Sequence, residues 1–248
     1  MRILDFLKQA PQADERITLA VGERQFDIAV TRNPRARRYT LRVRDAKRDV
    51  VLTMPARGSI REAHRFAEKH TAWIASKLAQ LPGRVPFADG ETLPVRGIAY
   101  RIVHRPHARG TAWLEHSEEN GAMLCVAGKS EHVSRRVRDF LKREAKVALT
   151  AATRKYAGML GVTVSRIGLR DSTSRWGSCS ESGAISYSWR LILTPDYVLD
   201  YLAAHEVAHR RELNHSERFW NLLYRMCPEA KRAETWLTRE GKSLHRYG

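Results

Sequence analysis

The stretch YLAAHEVAHRRELNHSERFW, residues 201 to 220, carries His205, Glu206, His209 and His215, residue types and spacings that suit metal chemistry. A separation of four puts His205 and His209 about one turn apart on one helical face, where two imidazole nitrogens can meet one zinc ion at about 2.0 to 2.1 Å. Glu206 lies about 100° further round, close enough to hold a water at such an ion but not naturally a ligand. A hydrolytic zinc usually takes three protein ligands and keeps a fourth position for water. His215 is the obvious third. In an unbroken helix it would sit about 120° off the ligand face and ~9 Å along the axis, so the chain is expected to turn between Arg211 and His215. Asn214 tolerates a left-handed backbone, and Ser216 suits the cap of a new helix, ERFWNLLYRM.

The chemistry such a site performs is metal-assisted hydrolysis of a peptide bond. Zinc acidifies a water and polarises the carbonyl, while Glu206 takes the proton and returns it to the leaving amine. A closed structural zinc site would favour cysteine and have no use for Glu206. The plain alternative is a helix of half-buried, hydrogen-bonded histidines with His215 in a loop. Tyr224, Arg175 and His245 are candidate oxyanion stabilisers, each equally suited to packing or surface duty. The strand AISYSWRL is expected to offer its edge to an extended substrate.

Several elements must position these groups. Thr194, Pro195 and Asp196 read as the start of the metal-binding helix: a capping hydroxyl, proline at the first helical position, an acid in the first turn. Val198, Leu202, His205 and His209 then follow one inward stripe. Upstream, VTVSRIGLRDS and AISYSWRLILT are strand candidates around the turn SCSESG, and a long helix runs from Ser130 to about Leu160, with Gly161 as its cap. Val133, Val137, Phe140, Leu141, Ala148 and Ala152 are its expected inner face. Arg175, Trp176, Gly177 and Cys179 read as a tight turn with Trp176 in the core, backbone freedom at Gly177 and Cys179 as a small filler; the alternative is that they shape the substrate cleft or that Cys179 approaches the metal. Trp220 and Trp236 are taken as core.

The first quarter reads as strands from RITLAVGERQFDIAVTRN onward, with RRYTLRVRDAKRDVVLTMP as a hairpin turning at RDAKRD. Ser59 and Glu62 suggest a capping box opening one helix whose stripe is Ala63, Phe66, Ala67, His70, Trp73, Ile74 and Leu78, stopped by Pro82 and Gly83. Residues 91 to 127 suggest further short strands with EENG as a turn. No internal repeat is visible. The expected organisation is a β-rich N-terminal region with one helix, residues 1–90, and a second region, residues 91–248.

At 248 residues and 43% hydrophobic composition the chain is long and apolar enough for a real core. The N-terminus lacks an apolar run with a cleavage site, and no stretch approaches the ~18 apolar residues of a membrane span. Cys125, Cys179 and Cys227 are an odd, widely spaced set, a poor disulfide framework that fits a reducing compartment, so a cytoplasmic location is expected. The net charge of +17 attracts nucleic acid, acidic proteins and anionic surfaces without choosing among them.

SRWGSCSESGAISYSWRLILTPDYVLDYLAAHEVAHRRELNHSERFW resembles the YgjP-like metallopeptidase family. Its marks stand here as Arg175 to Cys179, Trp189 to Leu191, His205 to His209 and Asn214 to Trp220, and RRYTLRVR and DGETLPVRG are similar too. The resemblance implies an α+β, zincin-like metallopeptidase domain with a small sheet whose edge strand precedes the metal-binding helix. It implies zinc on His205, His209 and His215, with Glu206 as the catalytic glutamate. The ligand spacing is similar to that of the SprT and WLM proteases, which act on proteins attached to DNA. Metzincins share the spacing but have glycine where this chain has Glu212.

The expected activity is therefore that of a zinc metallopeptidase, an endopeptidase acting on protein or peptide substrates. The rival from another class is a basic nucleic-acid-binding module, or a DNA-associated protease, in which the metal site is secondary. It draws on RNPRARRYTLRVR and SRRVRDFLKRE, although solvated faces explain such runs and no zinc finger, RNA-recognition or helix-turn-helix signature accompanies them.

Overall fold

Apolar residues alternating along extended segments give strands with one buried face, and the helix-period stripes give helices that cover those faces. The computed structural model describes residues 15–21, 24–44, 49–81 and 83–248. The segment before Glu15, the turn at 45–48 and the helix stop at Pro82 lie outside the described residues. The chain is α+β and divides into two compact units, Met1–Pro82 and Gly83–Gly248.

In the first unit, β1 (Glu15–Val21), β2 (Arg24–Asn33), β3 (Thr40–Arg44) and β4 (Asp49–Pro55) form a sheet of order β1-β2-β4-β3. The outer pairs are antiparallel and the inner pair, β2 with β4, is parallel. Ile17, Leu19, Ile28, Val30, Val50, Leu52 and Met54 are buried with Ala63, Ala67 and Ile74. The expected single helix is two, α1 (Ile60–Lys69) and α2 (Thr71–Ala79). At the break, His70 Nδ1–H donates to Phe66 O (2.8 Å) and the Thr71 hydroxyl bonds Glu68 O, so side chains take carbonyls of the last turn. The stripe is thereby interrupted, and His70 and Trp73 face outward. The capping box is also replaced. Ser59 caps α1 without a side-chain bond; its N–H donates to Tyr39 Oη (3.0 Å), and Tyr39 donates to Glu62 (2.7 Å).

In the second unit, β5 (Thr92–Val95), β6 (Ile98–Arg105), β7 (Ala112–Ser117) and β8 (Gly121–Ala127) form a sheet of order β5-β6-β8-β7, with EENG turning β7 into β8. Its inner pair is again parallel and its outer pairs antiparallel, so the two units repeat one sheet topology that the residue pattern does not reveal. The helix α3 (Val133–Leu160) follows a short 3-10 turn at Ser130–His132 and ends at Gly161 in the left-handed conformation, φ 61° and ψ 38°. Its inner face buries Val133, Val137, Phe140, Leu141 and Ala152, with Ala148 partly covered.

The elements nearest the candidate site come next. A small sheet joins β9 (Arg166–Arg170), β10 (Gly177–Cys179) and β11 (Ala184–Ser188) in the order β10-β11-β9. The Tyr187 and Thr153 hydroxyls meet at 2.9 Å in the interior and tie β11 to α3. Trp189–Leu193 does not continue the strand as the sequence pattern suggests; it is a 3-10 turn. Arg190 holds it there, binding Asp171 (2.9 Å) and the carbonyls of Leu244 (3.2 Å) and Tyr247 (2.7 Å). The helices α4 (Asp196–Ala208), α5 (Glu217–Met226) and α6 (Ala230–Glu240) complete the unit. Pro195, not Thr194, occupies the cap of α4; the Thr194 hydroxyl is buried and donates to Leu191 O (2.8 Å). Tyr156 and Lys155 of α3 both bond Asp200 of α4, the lysine at 3.0 Å, which fixes the angle of the helix that carries the histidines.

Leu141 is fully buried on the inner face of α3, in its N-terminal half. Leu141→Ala should lower the unfolding free energy by about 2–5 kcal/mol, read from urea denaturation.

Candidate metal centre

The inward face of α4 carries Val198 and Leu202 into the core and continues as His205 and His209. The helix ends at Ala208, with His209 as its cap, earlier than the expected turn after Arg211. Arg210 N–H reaches Val207 O (2.9 Å), and Arg211 and Glu212 N–H both reach Ala208 O (3.0 Å), closing the last turn. Asn214 has an ordinary negative φ, so the left-handed residue expected there is not used. Side chains hold the reversal instead. Arg210 donates to the carbonyls of Thr163 (3.2 Å) and Glu181 (3.0 Å), and Arg211 to that of Leu160 (2.7 Å). Arg210 and Arg211 thus anchor the turn. Ser216 caps α5 as expected, accepting from Phe219 N–H (3.5 Å).

The reversal brings His215 to His205 and His209. One ligand atom from each of the three lies within 4.8 Å of the others, the one such group of three or more metal-binding side chains among the described residues. His205 Nε2 and His215 Nε2 are 3.1 Å apart, a distance at which two lone pairs repel unless a proton or a cation lies between them. Burial, aided by the neighbouring imidazoles, pushes His205 down to about 3, and burial lowers His209 and His215 as well. The three are neutral rings with lone pairs to share. His209 Nδ1 must carry a proton, because it donates to Glu212 O (3.0 Å), and its Nε2 is left as the acceptor. His205 Nδ1 is buried without a partner. Neutral nitrogen donors at this mutual distance fit a borderline-soft divalent cation.

Phe219 of α5 is the common neighbour that residue spacing alone did not single out. It is fully buried, with its ring centroid 5.0, 4.6 and 4.7 Å from those of His205, His209 and His215. Its position four after His215 was the available signal. Trp220 stands 5.8 Å from His215 and stacks on Tyr224 (5.9 Å); it and Trp236 are partly buried against the core.

Glu206, offset by about 100° from His205 round the helix, is only 4% exposed. Burial pushes its carboxyl up to about 8, opposed by the positive charge of Arg175. The backbone of β10 forms one wall of its pocket. A Cβ built on Gly177 would lie 2.3 Å from Glu206 Oε1 and 2.7 Å from its Cδ. Gly177 has no positive φ, so its role is space for the carboxylate and not the backbone freedom expected of it. Cys179 is partly buried, near Ser180 O (3.5 Å), and is not among the converging donors. Trp176 stacks on His245 at 5.4 Å, and His245 is held low by burial and by Arg190. Of the oxyanion candidates, Arg175 alone carries a charge felt by Glu206.

The edge strand is also reassigned. β11 has β10 on one side and β9 on the other, so it has no free edge to offer. The strand with an open edge beside Glu206 is β10, the segment that read as a tight turn.

An α+β domain sets a three-histidine cluster and a buried glutamate at the end of one helix, an arrangement suited to a metallopeptidase. A family model described as YgjP-like, metallopeptidase domain, matches residues 37–240, and the chain belongs to this YgjP-like metallopeptidase family. No curated protein and no solved structure matches the chain. Membership makes the chain a peptidase and implies a metal cofactor and peptide substrates. No helix among the described residues is long and apolar enough to cross a membrane.

Gly177→Ala should cost about 1–3 kcal/mol in urea denaturation and depress peptide cleavage, because neither the buried carboxylate nor the strand has room to move. Gly158→Ala, on α3 with nothing within 4 Å, is the contrast: stability should rise by about 0.5–1 kcal/mol with cleavage unchanged.

Proposed function

We propose that the chain is a zinc-dependent endopeptidase in which His205, His209 and His215 hold the ion and Glu206 moves the proton. The observation that carries this reading is the set of three neutral imidazoles, with donor atoms within 4.8 Å of one another, next to a buried carboxylate on the following helical position. Zinc, when bound, supplies Lewis acidity toward a water and toward the scissile carbonyl. Glu206 accepts a proton from the attacking water on one carboxylate oxygen and delivers it to the nitrogen of the leaving amine. Gly177 leaves the space that this carboxylate fills. Phe219 and the surrounding core pack against the partly buried imidazoles and hold them in place.

An extended substrate would pair its main chain with the open edge of β10, Gly177–Cys179, which passes beside Glu206. Pairing of this kind uses backbone on both sides of the scissile bond and favours cleavage within a chain. Arg175, on the segment leading into β10, has a positive charge that acts on Glu206, which supports it as the group that would stabilise the developing oxyanion.

Glu206→Gln should keep one zinc per chain by elemental analysis and lose about 10²–10⁴-fold in the rate of casein cleavage. Cleavage at the wild-type rate would end the proposal. His215→Ala should lose zinc first, releasing the ion at chelator concentrations that leave the wild type loaded; equal retention would remove His215 from the ligand set. Internal fragments in the digest, seen by mass spectrometry, are expected, and stepwise loss of terminal residues would reassign the enzyme as an exopeptidase.

A further inference from the structure

A second site lies between α3 and the outer edge of β9. There a hollow of about 420 Å³, within the size range of small-ligand pockets, is lined by Lys146, Thr150, Arg154, Ser165 and Arg166 over an apolar floor that includes Val164. Three of these residues are cations and no carboxylate lines the hollow. Lys146, Thr150 and Arg154 fall at successive turns of one face of α3, and Arg166 enters from the strand. Lys146 is held in place by a hydrogen bond to Ile167 O, which leaves two of its ammonium hydrogens to donate. Arg154 and Arg166 are exposed, and their side chains make no hydrogen bond or ion pair with any described residue.

Several other cations of the same unit are engaged by an acid or a carbonyl. Arg135 pairs with Asp139, Arg136 donates to Ala127 O, Lys155 pairs with Asp200, and Arg190 with Asp171. Three like charges facing one hollow repel one another, and an anion within it relieves that repulsion. A carboxylate brings one charge and two oxygens. A phosphate group brings up to two charges and more acceptor oxygens, matching two guanidinium forks and an ammonium.

We propose that this hollow is a phosphate-binding site, separate from the metal centre, that takes the phosphate of a small phosphorylated compound or of a nucleic-acid strand. Lys146, Arg154 and Arg166 supply the charge, and the Ser165 hydroxyl is a further donor at the rim. Its occupancy requires neither zinc nor peptide cleavage.

The test compares Arg154→Ala/Arg166→Ala with the charge-matched control Arg138→Ala/Arg225→Ala, whose residues are exposed and lie outside the hollow. Inorganic pyrophosphate is titrated by calorimetry and a fluorescent single-stranded oligothymidylate by anisotropy, both at low salt. At least one probe should bind the wild type and lose about tenfold or more in affinity in the first variant, with less than about twofold loss in the control. Selective loss of pyrophosphate alone assigns a small phosphorylated ligand. Selective loss of the oligonucleotide, with its salt slope reduced by roughly 1.4, assigns a nucleic-acid strand. The proposal is overturned if neither probe binds the wild type, or if the two variants weaken binding equally, which is the behaviour of diffuse charge. Glu206→Gln should bind both probes as the wild type does, so loss of the hydrolase reading would leave this one standing.

Discussion

The whole centre depends on α4 ending at Ala208. One more helical turn would carry the chain away along the axis and leave two imidazoles facing an empty third position. A helix stop leaves carbonyls unsatisfied and a chain free to wander. Here the wandering is prevented by Arg210 and Arg211, which reach back to carbonyls at Leu160, Thr163 and Glu181, behind α3 and beside the small sheet. The reversal is therefore fastened to the body of the domain and not to itself.

That fastening lets a polar cluster sit in an apolar setting. Three imidazoles and a carboxylate would each prefer water, and their burial is expressed in the lowered histidine values and the raised Glu206 value. The fold tolerates this because the neighbours are placed by other demands. Phe219 is a core residue of α5 that also touches all three rings, and Gly177 is a strand residue whose missing side chain is the space Glu206 fills. The site is strained in the sense of desolvation, not of backbone geometry: among the described residues Arg96 is the one non-glycine with positive φ, in the β5–β6 turn.

The excess positive charge has more than one use. Part of it is structural: Arg190, Arg210 and Arg211 act as hydrogen-bond donors to main-chain carbonyls, where a planar guanidinium can serve several acceptors at once. Another part is paired on the surface, where exposed ion pairs contribute little to stability. The remainder, of which Arg154 and Arg166 are examples, faces solvent without an acid nearby. Net charge alone does not separate these populations.

The residues proposed to do the chemistry were legible because helical spacing is a local property. His205, His209, the offset of Glu206, the need for a turn before His215 and the cap at Ser216 all follow from 3.6 residues per turn and capping chemistry, and the structure has them arranged so. The family resemblance, the α+β class and the β-rich start were readable for the same reason, as short patterns in fixed order. What the pattern misplaced depends on contacts far apart in the chain. Tyr39 displaced the capping box at Ser59, Arg190 bent Trp189–Leu193 out of the strand, and pairing on both sides of β11 gave the open edge to β10. Periodicity records which face of an element is apolar; it does not record which element lies across from it. Local spacing thus chose the reactive groups, while long-range packing chose the walls around them, because hydrogen-bond partners and free edges exist only once the chain has folded.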